Sequence, residues 1–267
     1  MNARRSAIDR TMFALGLFGL VFLILPVLML FPLSLEPGSS LRFPPSGFSM
    51  RWYQAYLSNR AWLDSTIRSL EIAAYSSLIA TILGCGAAIA LSREHMRGLA
   101  VFSFVLISPM LIPHIVLAIA MYSVFASLGL AGSKLGLVLA HAVLGLPFVI
   151  LNVASALRNI PADTENGAMS LGGSPVQVLW DITLPLVWRG LFAGAIFAFV
   201  VSFDEVVVAM FLSSATSSTL PKRMLDGIFF DLSPMLAAVS VCLVVFNVAL
   251  ASIAIVLTRA TPSTRSH

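Results

Sequence analysis

Residues 235–257 read MLAAVSVCLVVFNVALASIAIVL, from Met235 to Leu257, 23 positions without a charged side chain. A helix needs about 20 apolar residues to cross the hydrocarbon core of a bilayer, so this stretch is long enough to span one. Five more mostly apolar runs lie upstream, two of them with a few charged residues: Met12 to Leu33, Thr66 to Leu91, Leu99 to about Leu128, Leu135 to Ala156 and Leu186 to Leu212. The composition agrees, with 58% hydrophobic and 10% charged residues in 267. A soluble domain is about 45–50% apolar and about 25% charged, and one water-soluble core of this size cannot hide the excess. Six spans use about 120 residues, which leaves room for loops and none for a second soluble domain. The expected fold is therefore all-α, a polytopic membrane protein with six transmembrane helices.

Charge excludes further classes. The net charge of +4 arises from 16 basic and 12 acidic residues spread thinly, with no block that would form a nucleic-acid surface. Cys85 and Cys242 fall inside apolar runs and read as small packing residues. The first run follows Arg4, Arg5 and Arg10 but is too long for a secretory signal and lacks a small-residue cleavage site, so it reads as a retained helix. With six spans, both termini and the even-numbered loops share one compartment. That side carries Arg4, Arg5, Arg10, Arg93, Arg97, Arg158, Arg189, Arg259 and Arg265, nine residues against seven on the other. The bias is strongest at the first helix and places both termini in the cytoplasm. The segment Ser34 to Asp64, with Pro37, Pro44, Pro45, Trp52, Tyr53, Tyr56 and Trp62, has the proline and aromatic content of a chain lying along the outer membrane interface.

A transporter needs a driving force, and this chain carries no nucleotide site of its own. A phosphate-binding loop places Lys after Gly and before Ser or Thr, whereas Lys134 and Lys222 follow Ser133 and Pro221. His95, His114, His141 and His267 are scattered without metal-ligand spacing. His114 and His141 lie in or beside apolar runs, where an ionisable group is either a hydrogen-bonded packing residue or a functional one. No nucleophile, base or metal constellation suggests an enzyme, and no cofactor is expected.

The longest cytoplasmic loop, Arg158 to Pro185, has the punctuation of ordered structure. Ala162 to Leu171 suits a short helix that Gly172-Gly173 ends, glycine tolerating the left-handed cap. Ser174-Pro175-Val176-Gln177 then starts a second helix, with Pro175 where its missing N–H is harmless and Gln177 completing a capping box. The elements Asn166-Gly167-Ala168, Gly172 four residues later, and Ile182-x-Leu184-Pro185 resemble the signature loop of permease subunits of ATP-binding-cassette importers. Asn166 stands where that signature has glutamate, Gly167 replaces the first alanine, and Glu165 lies one position early.

The resemblance implies a type-1 ABC transmembrane domain over residues 66–258, preceded by an N-terminal helix and outer loop (1–65) and followed by a cytoplasmic tail (259–267). It implies that Glu165, Asn166, Gly167, Ala168 and Gly172 couple to the ATPase, leaving open whether Asn166 or Glu165 makes the docking contact. It also implies partners: an ATP-binding-cassette ATPase dimer, a second permease subunit and an extracytoplasmic solute-binding protein, assembled in bacterial inner-membrane lipid. Ser202-Phe203-Asp204-Glu205-Val206-Val207-Val208, Leu220-Pro221-x-x-Met224 and Leu232-Ser233-Pro234 are similar to the spermidine/putrescine-type branch, specifically its second permease subunit. In the second span, Ser76-Ser77, Leu83-Gly84 and Ala87-Ala88 resemble the start of the permease domain, and small residues there also let helices approach closely.

Asp204 and Glu205 interrupt the fifth run about 15 residues from Arg189, roughly 23 Å into a core of about 30 Å. A carboxylate facing lipid is unfavourable, so at least one must face the bundle or a wet cavity. Successive helical residues point about 100° apart, so a regular helix cannot aim both at one pathway. Two roles stand open for the pair: lining the passage of a cationic solute, or forming a structural hydrogen-bonding pair near the outer gate. Two functional classes follow. One is a non-catalytic permease subunit driven by a partner ATPase; the other is a self-sufficient carrier or channel driven by an ion gradient, with Asp204, Glu205 and His114 as relay groups.

Overall fold

Lipid offers no hydrogen bonds to a peptide group, so a spanning segment must pair its backbone internally, and the apolar runs accordingly fold as helices. The computed structural model describes residues 2–93 and 98–259, and no strand occurs among them. Arg97, Arg265, His95, His267 and all but the first residue of the expected tail lie outside the described residues. The first run forms α1 (Asn2–Ser34), a short α2 (Arg51–Ser58) follows, and α3 (Arg60–Arg93) carries the second run. The third run gives α4 (Leu99–Leu111) and α5 (His114–Ser127), and the fourth gives α6 (Lys134–Leu157). The loop beyond contains α7 (Ala162–Ser170) and α8 (Pro175–Val178). A wide π-turn, Leu179–Thr183, leads without a break into α9 (Leu184–Phe203). Then come α10 (Val207–Leu212), α11 (Leu220–Phe230) and α12 (Pro234–Arg259). Among the described residues five helices are long and apolar enough to cross a membrane, and the α4–α5 pair, taken as one broken span, makes six.

Three details depart from the simple runs. The third is not straight: α4 and α5 meet at 109°. Pro113 has no N–H and holds Ile112 extended (φ −83°, ψ 134°), which stops a helix. The fifth run starts earlier than Leu186, because α8 and the π-turn join α9; Pro185 cannot bond the carbonyl of Asp181, and the wider turn upstream accommodates its ring. The same run also ends early, at Phe203.

The chain forms two compact units, residues 1–63 with 226–246, and 64–225 with the remainder from 247. In the first, α1 is apolar on every side from Met12 onward, and its Phe13, Phe18 and Leu23 are exposed, as a lipid-facing helix requires. The loop after it is built on Glu36, a buried carboxylate that accepts from the Ser46 amide (2.7 Å), the Ser46 hydroxyl and the Gly38 amide (3.1 Å). The Ser46 hydroxyl above all holds the Glu36 carboxyl below its ordinary range. Trp52 Nε1 donates to the carbonyls of Glu36 (2.9 Å) and Gly38 (3.1 Å), pinning α2 to the loop.

In the second unit α6 is the most buried of the long helices. Toward its start it packs Leu137, Val138 and Leu144 against Ile72 of α3, Met121 of α5 and Leu212 of α10. Toward its end Val149, Ile150 and Val153 meet Ala80 and Cys85 of α3 and Val187 and Ala198 of α9. Glycine makes this approach possible. A β-carbon at Gly194 would lie 2.9 Å from Val149 Cα, one at Gly84 2.8 Å from Val149 Cβ, and one at Gly145 2.9 Å from Ala198 Cβ. In lipid, where helix association rests on packing and not on hydrophobic transfer, such close approach holds a bundle together.

Gly194→Ala is therefore expected to destabilise the folded chain by about 1–3 kcal/mol through overpacking. Gly86→Ala, with nothing within 4 Å, should leave stability unchanged or slightly raised. Thermal unfolding in detergent checks both; equal melting temperatures would mean that the α6–α9 contact is not tight.

Candidate functional site

The fifth run stops being helical at its two carboxylates. Phe203 is the last residue of α9, Asp204 occupies the C-cap, and α10 begins at Val207. Glu205 makes the new start possible: its Oε1 accepts from the amides of Val207 (2.7 Å) and Val208 (2.9 Å), donors that a helix N-terminus leaves unmet. Its Oε2 lies 3.0 Å from His114 Nδ1, a hydrogen bond that becomes an ion pair when the imidazole takes a second proton. Glu205 is only 5% exposed. His114 is the first residue of α5, just past the Pro113 break, so one buried carboxylate joins the two places where apolar runs lose their helix.

Asp204 turns elsewhere. It is exposed, and both its oxygens accept from Asn247 Nδ2 on α12 at 3.0 Å. Together Asp204 and Asn247 line a cavity of about 550 Å³ between α6, α9 and α12. Its remaining wall is mostly apolar, including Ile196, Phe197, Val200 and Ala251, with Asn152 as its other polar side chain. Asn152 donates to the Phe148 carbonyl of its own helix (2.8 Å). The structure thus separates the pair: Asp204 lines the cavity and Glu205 does not.

A second polar tie stands beside the break. His141 of α6, fully buried, places Nδ1 2.9 Å from Ser202 Oγ and 3.1 Å from the Ser202 carbonyl. Ser76 of α3 donates to the same Ser202 hydroxyl at 2.8 Å. His141 therefore acts as a packing residue that links three helices, and it does not meet Asp204 in a shared site.

The loop after α6 follows its sequence closely. α7 ends in a Schellman motif, the Gly173 amide bonding the Ala168 carbonyl (3.1 Å) and the Gly172 amide that of Met169 (3.0 Å). Gly172 has φ +97°, the left-handed conformation that glycine adopts without strain. The Ser174–Gln177 capping box is complete. Glu165 is turned inward and accepts from the buried Thr183 hydroxyl at 2.6 Å, which ties α7 to the π-turn. Asn166 and Gly167 are exposed, Ala168 is half-buried, and Leu171, 92% exposed, projects from the bend with Met169, Val176 and Trp180 also exposed.

Asn247 and Asn152 are the site residues that reading the sequence missed. Asn247 was legible, being the one carboxamide in residues 235–257, and a polar group at membrane depth is a functional candidate by default. The partner of Glu205 was named only as one of several ionisable groups.

Residues 80–261 match the family described as binding-protein-dependent transport system inner membrane component. The chain is 32% identical over 213 residues to the spermidine/putrescine transport system permease protein PotC of Haemophilus influenzae, covering 80% of this chain and 83% of that one. It is 32% identical over 231 residues to the putrescine permease PotI of Escherichia coli, covering 84% and 82%. A trehalose permease of Mycobacterium tuberculosis, SugB, is 27% identical over 200 residues, 74% and 73% of the two chains. Among solved structures, a chain of a bacterial ABC transporter that imports alginate superposes with a TM-score of 0.69 at 18% identity, covering 98% of this chain and 99% of that. The MetNI methionine ABC transporter gives 0.62 at 16%, covering 74% and 94%. At these identities the structures establish the fold.

The two carboxylates should part in stability. Glu205→Ala removes the cap of α10 and should lower stability by about 0.5–2 kcal/mol. Asp204→Ala, on an exposed residue, should cost distinctly less. Melting of the purified chain in detergent reads both, and an equal loss would contradict the separate roles.

Proposed function

The chain belongs to the binding-protein-dependent transport system inner membrane component family, a multi-pass permease subunit of an ABC importer, and from that premise we propose that its solute is a polyamine such as putrescine or spermidine. The observation that carries this reading is the carboxylate of Asp204 at an otherwise mostly apolar cavity, in a chain 32% identical to PotC and PotI over more than four-fifths of their lengths. A polyamine alternates ammonium groups with methylene segments. A carboxylate attracts the first, and apolar walls accept the second at little desolvation cost. Asp204 lines the route; Glu205 holds the break that presents it.

The subunit carries out no bond chemistry. It pairs with a second permease chain and docks on an ATPase dimer through α7 and its bend, receiving solute from an extracytoplasmic binding protein. Asn166 and Gly167 form the docking face with Leu171 beside them, and Glu165 stiffens it through Thr183. Closure of the ATPase dimer moves this loop, and the continuous helix from Pro175 to Phe203 carries the movement to the break at Asp204. Both termini and the docking loop face the cytoplasm, which the positive residues around α1 support. The family match favours this account over a gradient-driven carrier.

Proteoliposomes containing this chain, its second permease and its ATPase, supplied with the binding protein, should take up labelled putrescine or spermidine only with ATP. Asp204→Asn should lower uptake per assembled complex by about tenfold or more. Gly172→Val forces a β-branched residue into a left-handed conformation, at about 1–2 kcal/mol, and should abolish uptake and loosen the ATPase while membrane insertion persists. Uptake driven by a proton or sodium gradient without ATP, or native uptake in Gly172→Val, would overturn the coupling; uptake of trehalose in place of polyamines would overturn the solute.

A further inference from the structure

The polar end of the cavity is a carboxylate held by a carboxamide on another helix. Asn247 Nδ2 lies 3.0 Å from each oxygen of Asp204. A carboxylate in that position only accepts, so the amide nitrogen must face it, and this fixes which way the carboxamide points. The other end of the amide, Asn247 Oδ1, is buried and has no donor among the described residues. That oxygen has no accessible surface of its own, so what this end of the cavity presents to a solute is the exposed Asp204 carboxylate. A primary ammonium, with three N–H groups and no acceptor of its own, is the complement of such a carboxylate.

We propose that Asn247 is a positioning residue of the solute route: by donating to both carboxylate oxygens it aims Asp204 into the cavity, where an ammonium group of the solute meets it. The proposal rests on the reading of Asp204 as the carboxylate that meets the solute. Three features of the site support it. Asn247 stands on α12 and Asp204 at the C-cap of α9, so the hydrogen bond fixes from another helix a carboxylate at the end of its own. Among the described residues no basic side chain lines the cavity to neutralise Asp204 in place of a solute cation. The neighbouring wall, Ile196, Phe197, Val200, Val248 and Ala251, offers no competing donor side chain, so the Asp204 carboxylate is the acceptor an ammonium group meets there.

The test is a double-mutant cycle in the reconstituted importer, reading labelled putrescine uptake per assembled complex. Asn247→Leu, similar in volume and without polar atoms, should lower uptake about tenfold with normal assembly, and Asn247→Gln should restore part of the loss. In Asp204→Asn and Asp204→Glu backgrounds, where the carboxylate is absent or displaced, adding Asn247→Leu should change uptake less than about twofold, because Asn247 acts through that group. A full tenfold loss in those backgrounds, native uptake in Asn247→Leu, or failed assembly of both Asn247→Leu and Asn247→Gln would each overturn the proposal. Native uptake in Asp204→Asn would instead remove the reading on which it rests. Reduced uptake in Asp204→Asn beside native uptake in Asn247→Leu would leave that reading standing and refute the role of Asn247 alone.

Discussion

A carboxylate inside a hydrocarbon-spanning segment must have donors, and Glu205 obtains them by ending one helix and capping the next. Two backbone amides and the His114 imidazole surround it, and they can do so only because the helix stops at Phe203 and restarts at Val207. The break has a second consequence. In an unbroken helix Asp204 and Glu205 would point about 100° apart with both backbones fixed; here Asp204 sits at a C-cap and is free to meet Asn247. One buried charge thus sets the geometry of its exposed neighbour.

The break is tolerable because the helices around it are fixed elsewhere. Below it, α6 and α9 approach through Gly190, Gly194 and Gly145, close enough that a methyl group would collide. Beside it, Ser202 binds both His141 and Ser76, so the last turn of α9 is tied to α6 and α3. Beyond it, α10 packs Val208 and Leu212 into the cluster that holds Met121 and Leu137, and the Gly132 amide bonds the Leu212 carbonyl at 2.8 Å. The irregular backbone between Phe203 and Val207 is therefore packed against protein at Glu205 and opens on the cavity at Asp204, the two settings in which a membrane protein can accommodate it.

Much of this was legible in the sequence. Length and polarity alone identify the membrane helices, since few other solutions satisfy mostly apolar runs of about 20 or more residues. The bend at Gly172 and the capping box at Ser174 were legible as well, because caps depend on local backbone chemistry that neighbouring residues supply. The breaks were harder. Pro113 was visible as a helix stop but sat inside a run whose hydropathy continued across it. Asp204 and Glu205 marked a polar interruption, yet hydropathy does not say whether a carboxylate will bend a helix or find a partner across it. The role of Glu165 was hidden for the same reason: its partner Thr183 is 18 residues away and meets it only because the loop doubles back. Pairings across space, such as Asp204 with Asn247, are set by the tertiary fold and leave no local signature.

The central claim is that adjacent carboxylates face different surroundings, Asp204 a solute-accessible cavity and Glu205 a closed polar joint. Cysteine accessibility tests it directly, with Cys85 and Cys242 first replaced by alanine so that the introduced thiol is the only one. In the assembled importer, Asp204→Cys should react quickly with a water-soluble thiol reagent and be slowed by putrescine, while Glu205→Cys should react far more slowly and without regard to solute. Rapid, solute-sensitive labelling at Glu205→Cys with a silent Asp204→Cys would contradict the account.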